Sequence, residues 1–165
     1  MGDIMSKIKE LLKDKNSVLV FDVDGVLALL EFGEYNHYYA SDEDWDKFVN
    51  ENNNLYTTDK VSKKMQKFLN RVDKNRVYVI TAIGVNKEGE YKKEYVEKYY
   101  GINSNNVYYV DRNTSKIDNL NEIKNKHPEI EDYQLIMIDD TPDVLTEIQN
   151  NTNYSTAHIS SFLDI

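Results

Sequence analysis

The sequence predicts an α/β protein with a mostly parallel sheet wound between helices on both faces, in three layers. Three observations carry this reading. Short runs rich in Val, Ile and Tyr alternate with helical patterns along the chain. The runs at 17–21 and 133–140 are apolar almost throughout, as strands covered on both faces are. Four runs end in polar residues, at Asp22/Asp24, Thr81, Asp111 and Asp139/Asp140. Ligands in such sheets collect beyond the carboxyl ends of the strands.

The elements follow in order. Residues 3–14 fit a short amphipathic helix with Ile4, Ile8, Leu11 and Leu12 on one side. SVLVF, 17–21, is the first strand. Residues 28–57 have no clear period, and hold Phe32, Tyr35, Tyr38, Tyr39, Trp45, Phe48 and Tyr56 among acids and asparagines. They read as a short lid or a long packed loop, with one helix at 44–50, and long connections of this kind are often functional. Val61, Met65, Phe68, Leu69 and Val72 place a helix over 59–72, with Asp59 as its cap. RVYVITA, 76–82, is the second strand. A Lys/Glu-rich helix at 90–100 is stopped by Gly101. NVYYV, 106–110, is the third strand. Ile117, Leu120 and Ile123 face inward on a helix at 115–126 that ends before Pro128. YQLIMIDD is the fourth strand, a short helix follows at 143–149, and a weak fifth strand lies at 155–159. No repeat or interdomain linker divides the 165 residues, so a single domain over 1–165 is expected.

Composition bounds the function. The chain carries 20 basic and 29 acidic side chains, a net charge of -9. That sign is wrong for generic binding to a nucleic-acid backbone, but leaves room for a small phosphorylated substrate. No run approaches the roughly 18 apolar residues of a membrane span, so no membrane partner is expected. There are no cysteines, which excludes disulfides, thiolate zinc sites and cysteine nucleophiles. With a charged N-terminal segment unlike a secretory signal, this points to the cytoplasm. The thirteen tyrosines read first as amphipathic packing at the rim of the core, and second as a platform for a nucleobase.

The acids at the strand ends carry the chemistry. Asp22 and Asp24 can converge on one pocket, with Gly25 permitting the turn and the close approach of a ligand. One carboxylate could attack phosphorus while the other moves protons to and from the leaving group. Such a pair would repel an anionic substrate, so the reading demands cations. Without them, DxDG reads equally well as an Asx turn. Asp139 or Asp140 facing Asp22 would complete an oxygen-rich Mg²⁺ site. Asp143 could support that site from behind, or simply favour a helix N-terminus. Thr81 could bind a phosphoryl oxygen together with nearby backbone donors. Lys116, 23 residues before Asp139, could bring an ammonium to both the phosphate and the nucleophile; Lys92, Lys93 and Lys87 are weaker rivals. Asp111–Arg112 reads as surface before substrate contact. His37, His127 and His158 have no metal-ligand spacing.

These motifs together resemble the haloacid dehalogenase-like superfamily of phosphotransferases. FDVDGVL (21–27), VYVITA (77–82), Lys116 and LIMIDDTPDVL (135–145) match its four motifs in order and cover 17–148. The resemblance implies a three-layer α/β/α Rossmann-like fold with at most a minimal cap insertion at 28–57, and a Mg²⁺-dependent aspartyl-phosphate mechanism. It gives Asp22 the attack on phosphorus. Asp24 protonates the leaving oxygen, activates water and lends its backbone carbonyl to the metal. Thr81, Ala82 and Lys116 hold the phosphoryl group, and Asp22, Asp139 and Asp140 hold Mg²⁺ directly or through water. IDDTPDVL is similar to the fourth motif of 5'(3')-deoxyribonucleotidases and of the phosphatase domain of phage polynucleotide kinase. ITAIG lacks the arginine that the kinase-linked domains carry at that point.

The expectation is therefore a phosphomonoester hydrolase acting on a nucleotide or another small phosphorylated metabolite. A metal-binding interaction domain without catalysis, a polynucleotide 3'-phosphatase and a phosphotransferase to other alcohols are the alternatives. Natural substrate and oligomeric state are not written in the motifs.

Overall fold

Five parallel strands form the centre of the computed structural model, which describes residues 2–32, 35–36, 40–163 and 165, with side chains for 7–30, 40–163 and 165. In chain order the elements are α1 (Gly2–Lys13), β1 (Val18–Phe21), β2 (Glu31–Phe32), β3 (Tyr35–Asn36), α2 (Asp42–Glu51), α3 (Lys63–Leu69) and β4 (Val77–Ile83). There follow α4 (Asn86–Tyr100), β5 (Val107–Asp111), α5 (Ile117–Lys126), β6 (Leu135–Asp139), α6 (Pro142–Asn151) and β7 (Ser155–His158). The sheet order is β5-β4-β1-β6-β7. Each neighbouring pair is parallel, with Phe21 registered on Val79 to one side and on Ile138 to the other.

Alternation within the strands sorts the core into two faces. Leu19, Phe21, Val77, Val79, Ile136 and Ile138 pack with the buried residues of α1, α2, α3 and α4. Val18, Val20, Tyr78, Ile80, Leu135 and Met137 pack with α5 and α6. The result is three layers, α/β/α, as the alternation of strand and helix predicts. Strand order reverses at β1: β4 and β5 extend to one side, β6 and β7 to the other. Crevices at the carboxyl ends of β1, β4 and β6 are therefore where a ligand belongs.

Several local expectations are adjusted. Ser62, not Asp59, caps α3: its side chain accepts from Met65 N, because Thr58–Lys60 is a separate 3-10 turn and the helix begins only at Lys63. The Lys/Glu-rich helix starts earlier, at Asn86, and ends at Gly101, whose φ of +67° closes it in the left-handed region. The segment 28–57, expected as a short lid or a long packed loop with one helix at 44–50, carries two short strands besides a longer helix. It forms the antiparallel ribbon β2–β3 and then α2, which buries Trp45 and Val49. Ser41 caps α2 by accepting from Asp44 N. His37, Tyr38 and Tyr39, and the side chains of Ile4, Phe32 and Tyr35, lie outside the described residues.

Several of the described tyrosines serve packing. Tyr95 and Tyr100 are buried and both donate to the Leu27 carbonyl. Tyr109 donates to Gly89 O and Tyr108 to Glu122. Among the described residues, no helix is long and apolar enough to cross a membrane.

Candidate active site

The turn after β1 is built tightly. Ala28 N and Leu27 N both donate to Val23 O, and Gly25 N donates to Ala28 O. Gly25 takes φ +74°, where an L side chain is strained. A Cβ at this position would stand 2.1 Å from Asp140 Oδ2. Glycine here thus serves both the turn and the approach of the β6 acid to the β1 acids. Gly25→Ala is expected to lower the unfolding free energy by on the order of 1–3 kcal/mol, read as a lower urea midpoint.

At the ends of β1 and β6, Asp22, Asp139 and Asp140 each offer a carboxylate oxygen within 4.8 Å of the others. This group could hold a divalent cation. Oxygen donors from carboxylates suit a hard cation. Lys116, 6% exposed at the start of α5, bridges the two strand ends. Its Nζ lies 2.9 Å from Asp22 Oδ1 and 2.8 Å from Asp139 Oδ2. Thr141 N donates to Asp139 Oδ1, and Thr141 Oγ1 to Asp140 Oδ1. Burial pushes the Asp22 carboxyl up to about 6 against the pull of Lys116, and Asp139 and Asp24 add to the rise. For Lys116, burial acts downward, but Asp22 and Asp139 outweigh it and its pKa is raised.

Asp24 points elsewhere. Its Oδ1 accepts from Tyr56 OH at 2.9 Å, and its Oδ2 lies 2.7 Å from Lys92 Nζ. Lys92, only 1% exposed, also contacts Glu88 Oε1 at 2.8 Å and donates to Ala82 O at 2.7 Å. Glu88 is satisfied on all sides: Trp45 Nε1 donates to Oε1, Gly84 N donates to Oε2, and Arg112 approaches Oε2 at 3.4 Å. Arg112 is held in turn by Asp46 at 2.6 Å. Burial lowers the Lys92 pKa, but Asp24 and Glu88 reverse this and the net shift is upward. Lys92 is therefore an ammonium locked between two carboxylates.

The acidic pair is thus split between two lysines, Lys116 for Asp22 and Lys92 for Asp24. Sequence reasoning expected one. In the sequence Lys92 is a weaker rival to Lys116, Arg112 reads as surface, and no motif marks Glu88 or Tyr56. A signal was present. Val85, Gly89, Tyr95 and Val96 share the inward face of α4 with Glu88 and Lys92. A charged pair four residues apart on the buried side of a helix requires partners inside.

Asp22, Asp24, Thr81, Ala82, Lys116, Asp139, Asp140 and Asp143 all line one cavity of about 660 Å³. Thr81 sits near the end of β4, 1% exposed. Its Oγ1 and Ser17 Oγ are the buried side-chain polar atoms without a hydrogen-bond partner among the described residues. A hydroxyl left so beside an acidic, lysine-bearing cleft suits an incoming oxygen ligand. Asp143 lies exposed in the first turn of α6, outside the three-carboxylate group. His127 bonds Tyr78 OH at the far end of β4, away from the cavity. His158 contacts Asp140 O through Nε2 and is not among the cavity's lining residues.

No family model and no curated protein matches the chain. A solved structure described as DsGPDH of Dunaliella salina superposes with a TM-score of 0.58 at 15% identity, over 93% of this chain and 25% of that one. The chain thus spans about a quarter of that protein's length. The likeness concerns the fold alone, and agrees with three layers around a parallel sheet.

Proposed function

We propose that this protein is a Mg²⁺-dependent phosphomonoester hydrolase of the haloacid dehalogenase-like type, working through an aspartyl-phosphate at Asp22. The observation that carries the proposal is Lys116 bridging Asp22 and Asp139 at 2.9 and 2.8 Å inside the three-carboxylate group. One ammonium is placed to steady the nucleophile and to meet a phosphoryl oxygen.

In this reading Asp22, Asp139 and Asp140 would hold Mg²⁺, directly or through water, and the Asp24 backbone carbonyl would be a further ligand. The ion, when bound, screens the substrate's negative charge from the carboxylates. Asp22 attacks phosphorus, and the bond from phosphorus to the ester oxygen breaks with its electron pair on that oxygen. Asp24, which takes up a proton from solvent before this step, gives it to that oxygen, so an alcohol leaves. Water then attacks the same phosphorus and passes a proton to Asp24, and the bond to Asp22 breaks to release inorganic phosphate. Thr81 and the backbone around Ala82 bind the phosphoryl oxygens. Asp143 stands at the rim, toward the rest of the substrate.

A small phosphorylated metabolite suits the cleft. The lining residues described include no aromatic ring to stack on a base, and Tyr56, Tyr95 and Tyr100 are committed to other contacts. The test is phosphate release from 4-nitrophenyl phosphate with added Mg²⁺, followed by a panel of nucleotides and sugar phosphates. Activity that is lost in chelator and restored by Mg²⁺ supports the proposal. No release from any ester at saturating Mg²⁺ overturns it and leaves a metal-binding domain without catalysis.

A further inference from the structure

We infer that Tyr56 and Lys92 are positioning residues that clamp the Asp24 carboxylate for proton transfer, so that the 28–57 segment contributes a member of the site. The inference rests on the hydrolase reading above, and goes beyond it in giving a role to residues that the motifs do not contain.

The clamp has two arms. Tyr56 OH donates to Oδ1 at 2.9 Å, and Lys92 Nζ meets Oδ2 at 2.7 Å. Each arm is itself immobilised. The Tyr56 ring, 2% exposed, packs on the Tyr95 ring with centroids 5.7 Å apart. Lys92 is tied to Glu88 and to Ala82 O, and Glu88 is braced by Trp45 from α2 and by Gly84 N. A carboxylate with a donor on each oxygen cannot rotate about its last torsion without breaking a buried contact.

Orientation matters most for Asp24 of all the acids here. Asp22 and Asp139 are already fixed by Lys116. Asp24 has to place a proton on an ester oxygen whose position is set by the phosphoryl group, and misplacement by about 1 Å is costly in such a step. A carboxylate oxygen has two lone pairs, so an oxygen held by a donor can still carry the transferred proton. The proton moves from Asp24 to the ester oxygen as the phosphorus–oxygen bond breaks. Tyr56 and Lys92 neither gain nor lose one.

The test is the leaving-group dependence of Tyr56→Phe, which keeps the ring and deletes only the hydroxyl. An alkyl phosphate leaves as a poor alkoxide and needs the proton; 4-nitrophenyl phosphate leaves as a stable phenolate and hardly does. The quantity to compare is kcat/KM, which reports formation of the phosphoenzyme. Asp24→Asn sets the scale for complete loss of the acid. For Tyr56→Phe we expect a fall of about 10- to 100-fold on the alkyl ester and of less than about threefold on the nitrophenyl ester. A merely structural role for Tyr56 would lower both alike. Equal losses on the two esters, or no loss on either, overturn the clamp and leave the hydrolase standing. A wild-type protein that releases phosphate from neither of these esters nor from any nucleotide or sugar phosphate of the panel overturns both.

Discussion

Asp22→Asn is expected to lower phosphate release by on the order of 10³-fold or more, while the fold in chelator becomes no less stable. The first half follows from the nucleophile role proposed for Asp22, whose carboxylate oxygen would bond to phosphorus; an amide cannot replace it. The second half follows from burial. The Asp22 carboxyl rises from 3.8 to about 6 in the folded protein, so the folded state binds a proton that the unfolded chain has already lost. Its contribution to stability is present at low pH and is lost as pH rises through the window from about 4 to 6. Above that window the ionised group opposes folding by on the order of 3 kcal/mol, and a neutral amide removes that opposition. Thermal unfolding in chelator at pH 5 and at pH 7.5 measures this. The wild type is expected to gain more on acidification than Asp22→Asn does. An Asn variant that unfolds well below the wild type at pH 7.5 would contradict the electrostatic account of this site.

The second large effect lies at Lys92. Lys92→Met would leave Asp24 and Glu88 as buried carboxylates facing each other without their shared ammonium. Removing one partner from a buried ion network costs about 3–5 kcal/mol, which in a domain of this size lowers Tm by on the order of 10 °C. Glu88→Gln is expected to cost less, because Lys92 keeps Asp24 and the amide oxygen can still accept from Trp45 or Gly84. Differential scanning calorimetry of the two variants ranks them. A Lys92→Met protein as stable as the wild type would mean that the network is not held as closely as 2.7 Å implies.

The parts legible in the sequence were those that local pattern controls. Strand runs bounded by acids, and helices between them, place the sheet and its carboxyl ends. Lys116 could be reached because its distance along the chain from Asp139 formed part of a motif. The network around Asp24 was not reachable in this way. Glu88 and Lys92 sit in a helix dense in Lys and Glu, where an i,i+4 pair ordinarily means a solvated face. The apolar residues Val85, Tyr95 and Val96 on the same face are the faint sign that it is an inner one, and the packing of Trp45 and Tyr56 against that helix makes it plain. Arg112 reads as a surface residue after a strand, yet Gly84 and Asp46 draw it under α2. The 28–57 segment has no single period because it divides into a two-residue ribbon and one helix, α2, whose Trp45 and Val49 join the main core.

The most direct test of the account is to trap the intermediate. Wild-type protein turning over 4-nitrophenyl phosphate with Mg²⁺ is quenched in acid, the acyl phosphate is reduced with borohydride, and the peptides are mapped by mass spectrometry. The account predicts reduction of the side chain at residue 22 and at no other carboxylate. Phosphate release with residue 22 unmodified, or with the mark on another side chain, would contradict it.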